Sequence, residues 1–165
     1  MLNEDQSNTI TVNFTVNGIE QNMRIDPRYS LADVLRDRLR LTGLHLGCEQ
    51  GVCGACAVLI NGEPAVSCLT LAAQVDGANI ETVEHFAGSG DLGKLETSFI
   101  KHGAFQCGFC TPGFLIMGHY LVNAGMASDR ETVRRNLNGN ICRCTGYESI
   151  IDAIVAVGAG EDGNE

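Results

Sequence analysis

Eight cysteines carry most of the chemistry open to this sequence, and they fall into two sets of four. Cys48, Cys53, Cys56 and Cys68 are spaced C-x4-C-x2-C-x11-C. An x4 step, an x2 step and a later lone cysteine make the plant-type [2Fe–2S] arrangement, with three ligands from one loop. Such a cluster needs four thiolates converging on two irons, and its negatively charged sulfurs want N–H donors. Gly47, Gly51 and Gly54 let the loop turn its amides inward, because glycine tolerates positive φ and close approach. Ala55 is small enough to leave room. Structural zinc sites often use two close-spaced cysteine pairs and fit this triplet poorly. A Rieske centre needs two His ligands, and His45 is the only His near the loop.

The second set is Cys107 and Cys110, a C-x2-C pair, with Cys142 and Cys144, a C-x-C pair. Each pair precedes a predicted helix, so two helix N-termini could present amide N–H groups to one anionic centre. Spacing alone leaves this set open. Four thiolates on two loops could hold a cluster or zinc, and C-x2-C could be a redox dithiol.

Positioning these residues takes two kinds of scaffold. Ile10, Val12, Phe14 and Val16 alternate with period two, and Asn17-Gly18 follows as a hairpin turn into Ile19–Ile25. Ser30 is an N-cap, with Asp33 as a box-like partner, ahead of the apolar stripe Leu31, Val34, Leu35 and Leu39. Ala57–Ile60 and Ala65–Val66 flank Asn61-Gly62, a second hairpin, and Ile80–Val83 reads as a further strand. Beyond the Gly/Ser/Asp stretch at 87–91 the pattern is helical: Leu92–His102, Pro112 to about Asn123, Arg130–Leu137 capped by Asp129, and Tyr147–Val157. The expected fold class is α+β: an α+β domain over 1–84, a linker at 85–91 and an all-α domain over 92–165, with a frayed acidic tail from Gly158.

Composition narrows the partners. The 165 residues carry net charge −9, which repels phosphate backbones and argues against nucleic acid. No apolar run approaches the roughly 20 residues that span a bilayer. Met1–Asn8 has neither a basic nor an apolar signal region. Cysteine is about 5% of the chain, below the roughly 8–10% of disulfide scaffolds. The expected compartment is the reducing cytoplasm, where grouped cysteines mean metal or catalysis.

Three segments together resemble one family. Gly47-Cys48-Glu49-Gln50-Gly51-Val52-Cys53-Gly54-Ala55-Cys56, Gln106-Cys107-Gly108-Phe109-Cys110-Thr111-Pro112-Gly113 and Asn140-Ile141-Cys142-Arg143-Cys144-Thr145-Gly146-Tyr147 are similar to the signatures of the iron–sulfur small subunit of the molybdenum hydroxylases, the xanthine oxidase family. The resemblance runs from about Thr9 to Val157, and all eight ligand positions match. It implies a plant-type ferredoxin-like β-grasp domain followed by an all-α four-helix [2Fe–2S] domain. It implies that Cys107, Cys110, Cys142 and Cys144 hold the proximal cluster, nearest a molybdenum–pterin cofactor. Cys48, Cys53, Cys56 and Cys68 would hold the distal one, nearer a flavin. Gln106 and Cys144 would lie against the pterin of a partner subunit. The implied partners are a molybdenum-binding large subunit and an FAD-binding medium subunit on separate chains, assembled as a dimer of heterotrimers. The implied role is electron transfer, with no acid–base catalytic residues on this chain.

Other features read as scaffold. Gly88-Ser89-Gly90-Asp91-Leu92-Gly93 matches G-x-G-x-x-G, but residues 106–116 hold no acidic partner for a ribose, so a linker is the better reading. Asn13-Phe14-Thr15 is a glycosylation sequon inside a predicted strand. His45, His85, His102 and His119 read as ordinary hydrogen-bonded histidines. Phe114, Leu115, Met117 and Leu121 read as helix core. Arg143 divides equally between tuning a cluster and being a solvated charge.

Overall fold

The structure, a computed structural model, describes residues 8–89 and 93–160. Strands β1 (Ile10–Val16) and β2 (Ile19–Ile25) pair antiparallel around Asn17-Gly18. Both turn residues are left-handed, with φ 52° and 79°. A type I′ hairpin demands this backbone, and Asn-Gly adopts it readily. Strands β3 (Ala57–Ile60) and β4 (Glu63–Val66) repeat the device at Asn61-Gly62. Strand β5 (Asn79–Glu81) lies parallel to β1 and antiparallel to β3, which gives the order β2-β1-β5-β3-β4.

Val12, Phe14 and Val16 point inward, whereas Ile10 is exposed at the start of its strand. Helix α1 (Leu31–Asp33) opens on a reciprocal cap: the Asp33 N–H donates to Ser30 Oγ and the Ser30 N–H to Asp33 Oδ2. The helix widens at once into a π-helical stretch, Val34–Arg38. Leu31, Val34 and Leu35 are fully buried and join one apolar cluster with Val12, Phe14, Val58 and Ile80.

Two local readings change. β4 runs through Pro64, which has no N–H to donate and is tolerated because β4 is an edge strand. Most of the stretch read as a linker is helical: α2 spans Val83–Ser89. Its first turn is fixed by tertiary contacts that composition does not reveal. The buried Phe86 packs on His119 at 3.9 Å, and the Glu84 carboxylate accepts from the Gly43 N–H at 2.7 Å. Gly88 and Ser89 of the glycine-rich motif end α2 and Gly93 opens the next helix, so the motif follows a helix rather than a strand; its residues 90–92 are outside the described residues.

Helices α3 (Gly93–Lys101), α4 (Thr111–Asn123), α5 (Arg130–Asn136) and α6 (Glu148–Gly158) follow near the expected bounds. Gly158, expected to begin a frayed tail, ends α6 against Ala127, and residues 161–165 are outside the described residues. Phe99, Phe114, Ile116, Leu121, Ile150 and Ile154 centre a second apolar cluster. Ala57 and Leu59 belong to it, while Val58 between them belongs to the first. Strand β3 is therefore buried on both faces, by the first apolar cluster, with Leu31, Val34 and Leu35, on one side and by the helical cluster on the other. Among the described residues, no helix is long and apolar enough to cross a membrane.

Candidate iron–sulfur centres

The first cysteine loop curls through three left-handed residues, Glu49 (φ 52°), Gly51 (φ 72°) and Gly54 (φ 69°). That curl turns the N–H groups of Gln50 and Cys53 onto Cys48 Sγ, each at 3.4 Å. These donors, with the N–H of Val52 and the Cys53 thiol, pull the Cys48 thiol down to about 7. A loop that favours thiolate over thiol suits a metal–sulfur centre. Gly47 serves differently: a Cβ there would lie 3.2 Å from the Phe109 ring and 3.4 Å from Cys53 Sγ. The β3–β4 hairpin brings the fourth cysteine back. Ser67, completely buried, donates its N–H and its hydroxyl to the Cys56 carbonyl at 3.2 and 2.8 Å. Cys68 thereby comes beside Cys56, and burial, then the Cys56 thiol, pushes it up to about 11.

In the second set, Cys107 and Cys110 flank the left-handed Gly108, and Cys110 is the N-cap of α4. Cys142 and Cys144 lead into α6 through two consecutive left-handed residues, Gly146 (φ 69°) and Tyr147 (φ 72°). Cys144 Sγ and Cys107 Sγ are 3.6 Å apart. Two sulfurs on one tetrahedral metal lie about 3.7 Å apart, given metal–sulfur bonds of about 2.3 Å. The Cys110 and Cys142 thiols also interact; burial and then Cys142 push Cys110 up to about 12. Burial acts on Cys142 as well. The Thr145 hydroxyl, the N–H groups of Thr145 and Cys144 and the Cys110 thiol outweigh it and leave that thiol below its ordinary value. Cys144 is raised, mainly by the Cys107 thiol.

None of the eight cysteines is in a disulfide, and the contacts sort them into pairs: Cys48 with Cys53, Cys56 with Cys68, Cys107 with Cys144, and Cys110 with Cys142. Among the described residues no three His, Cys, Asp or Glu side chains are placed to hold a single metal ion. Paired thiols with donors aimed at their sulfurs fit a two-iron cluster, each pair serving one iron.

The two sets are joined directly. The Ile141 N–H donates to the Cys53 carbonyl at 2.9 Å, and Asn140 Nδ2, a buried amide, donates to the Gly54 carbonyl at 3.2 Å. A Cβ on Gly54 would fall 2.4 Å from the Gly139 oxygen, and one on Gly113 would fall 2.3 Å from the Gly54 oxygen. His45 stacks on Phe109 at 4.9 Å and contacts its carbonyl oxygen at 2.8 Å. Sequence spacing revealed none of these ties, nor Ser67. The glycines at 54, 113 and 139, each beside a cysteine loop, were the available signal.

Gln106 is exposed and donates its Nε2 to the Cys144 carbonyl at 3.1 Å, so the two residues read as pterin contacts do sit together. Cys107 and Cys144 are exposed, whereas Cys142 is buried. Arg143 is exposed between the last two cysteines. The histidines are engaged locally: His85 lies 3.8 Å from Glu81, His102 contacts the Ser98 carbonyl oxygen and His119 contacts Asn123.

Comparison with known proteins agrees with this chemistry. Residues 2–99 match a 2Fe-2S iron-sulfur cluster binding domain, and residues 82–155 match a [2Fe-2S] binding domain. The chain is 51% identical over 150 residues to the caffeine dehydrogenase subunit gamma of Pseudomonas sp. (strain CBB1), covering 88% of this chain and 89% of that one. It is 45% identical over 165 residues to the nicotine 6-hydroxylase small subunit of Paenarthrobacter nicotinovorans, covering 100% and 99%. A chain of the crystal structure of quinoline 2-oxidoreductase from Pseudomonas putida 86 superposes with a TM-score of 0.86 at 46% identity, covering 95% and 98%. Paired thiols, [2Fe–2S]-binding domains over both cysteine sets and these full-length relatives lead to one conclusion: the chain belongs to the iron–sulfur small subunits of the molybdenum hydroxylases.

Proposed function

We propose that the chain holds two [2Fe–2S] clusters and passes electrons from a molybdenum–pterin site on a large subunit to a flavin on a medium subunit. The observation that carries this reading is the direct bond from Ile141, next to Cys142, to the carbonyl of Cys53. It ties the loop of the first cysteine set directly to the loop of the second. Each cluster supplies a one-electron couple. The residues of this chain hold it, aim N–H and O–H groups at its sulfurs and keep bulk water from its buried side. The exposure of Cys107 and Cys144, with Gln106 beside them, supports reading the second site as the one facing the pterin, and hence proximal. The first site is then distal. The two apolar clusters support a β-grasp unit over about 1–84 and a four-helix unit over 92–165, with β3 as their common wall. The named relatives belong to enzymes of caffeine, nicotine and quinoline. A large subunit oxidising a nitrogen heterocycle, in a dimer of heterotrimers, is the partner we propose.

The test is iron and sulfide analysis with electron paramagnetic resonance on the assembled complex. Four irons and four acid-labile sulfides per chain are expected, with two reduced-cluster signals. Cys48→Ser should remove mainly one signal and Cys107→Ser mainly the other. Two irons plus one zinc, or loss of both signals from either variant with the fold intact, would refute the two-cluster reading. A stable holo-monomer that never binds a molybdenum subunit would point to a diffusing carrier.

A further inference from the structure

The turn after the last cysteine closes a ring of hydrogen bonds on Cys142. The Cys142 N–H donates to the Tyr147 hydroxyl at 3.1 Å. The Tyr147 N–H donates to Thr145 Oγ1 at 3.3 Å. Thr145 Oγ1 lies 3.2 Å from Cys142 Sγ, and the Thr145 N–H points at the same sulfur from 3.4 Å. In the two-cluster reading Cys142 is a thiolate with no proton to give, so the Thr145 hydroxyl is the donor to sulfur while its oxygen accepts from the Tyr147 N–H. Two left-handed residues in a row build this turn. The second is Tyr147, a side-chain-bearing residue at φ 72° and ψ −30°. Such a backbone persists only where its surroundings over-determine it, and it gathers at sites with a task. Cys142 is also buried, at 7% exposure, so water does not dilute a donor placed there.

We propose that Thr145 is a positioning residue that raises the reduction potential of the cluster held by Cys107, Cys110, Cys142 and Cys144, and that Tyr147 holds its hydroxyl on the sulfur. The proposal rests on the two-cluster reading. Reduction adds one electron to the two irons, taken from substrate through molybdenum or from dithionite in a titration. No covalent bond forms or breaks, and the proton stays on Thr145 Oγ1. The sulfur becomes more negative, so a hydrogen bond to it strengthens and favours the reduced state. The factor expected is about ten in the equilibrium between reduced and oxidised forms, which is about 59 mV for a one-electron couple. At the first site Cys48 receives backbone N–H groups from Gln50 and Cys53. A hydroxyl on the second, proximal site (the inner site, with the first site the outer one) is thus a means of setting the two potentials apart.

The experiment is a mediated dithionite titration of the assembled complex followed by paramagnetic resonance, with Cys107→Ser assigning the inner signal. Thr145→Val should lower the inner midpoint by about the factor above and leave the outer one in place. Thr145→Ala, which adds no bulk beside the sulfur, should shift it the same way. Thr145→Ser should restore it. An inner midpoint unmoved in both Thr145→Val and Thr145→Ala, with iron content intact, would overturn the proposal while leaving the clusters established. Loss of the inner signal in Thr145→Val alone shifts the decision to Thr145→Ala. Loss in both with recovery in Thr145→Ser, but at an unchanged midpoint, would make the hydroxyl an assembly device and overturn the proposal too. A wild-type complex lacking two [2Fe–2S] signals would sink the two-cluster reading itself.

Discussion

Gly54→Ala should destabilise the chain far more than Gly62→Ala, although both glycines are left-handed. Gly54 has φ +69° and Gly62 φ +84°, and a left-handed backbone costs an alanine roughly 1–2 kcal/mol. Restricting the unfolded chain returns about 0.4–1 kcal/mol at either site. The positions differ in what a Cβ meets. At Gly62 nothing lies within 4 Å. At Gly54 the new atom would sit 2.4 Å from the Gly139 carbonyl oxygen and 2.7 Å from Asn140 Nδ2. Backbone cannot swing aside as a side-chain tip can, so overpacking of roughly 1–3 kcal/mol is added. If the loops part instead, the buried Asn140 amide loses its acceptor at about 1–3 kcal/mol. The expected difference between the variants is about 2 kcal/mol, or about 4–8 °C in melting midpoint for a chain of this size. The assay is thermal unfolding of the assembled complex followed by cluster absorbance, both variants in parallel. Gly54→Ala should also weaken the magnetic coupling between the reduced clusters, because the collision lies between their loops. Equal midpoints for the two variants would refute the claim that the 54–139–140 contact holds the sites together.

Two further outcomes are expected. Gln106→Ala should slow cluster reduction by substrate about fivefold, the worth of one hydrogen bond of roughly 1 kcal/mol, with iron content unchanged; pre-steady-state reduction of the complex reads this, and an unaltered rate removes Gln106 from the electron path. Arg28, through its side chain and its N–H, holds the buried Asp26 carboxyl down to about 2. A carboxyl lowered in the folded state contributes stability above its ordinary value near 3.8 and loses it as pH falls toward 2. Wild type and Asp26→Asn should therefore differ at neutral pH and converge over that acid window in denaturant titrations; a gap that persists at pH 2 contradicts the pairing.

Local chemistry made parts of this fold legible. Asn17-Gly18 and Asn61-Gly62 demand their turns whatever surrounds them, and Ser30 with Asp33 caps a helix with atoms three residues apart. The first cysteine set could be grouped from spacing because three of its cysteines share one loop. The second could not, because spacing does not tell which thiols meet, and the outer pair Cys107 and Cys144 encloses the inner pair Cys110 and Cys142. Helix α2 was hidden because Phe86 earns its place by packing on His119, a residue far along the chain. Tyr147 and Glu49 gave no sign of left-handed backbone, since glycine and asparagine are the residues whose type announces it. The bond from Ile141 to Cys53 is between main-chain atoms, and side-chain identity does not encode it.

Strand β3 feeds Val58 to one apolar cluster and Ala57 and Leu59 to the other. Neither layer can peel away without wetting the opposite face of that strand. The two halves are thus expected to open together. Replacing one cysteine is expected to silence one site, whereas loosening the packing along β3 is expected to loosen both. A fragment carrying one cysteine set would leave one face of β3 uncovered.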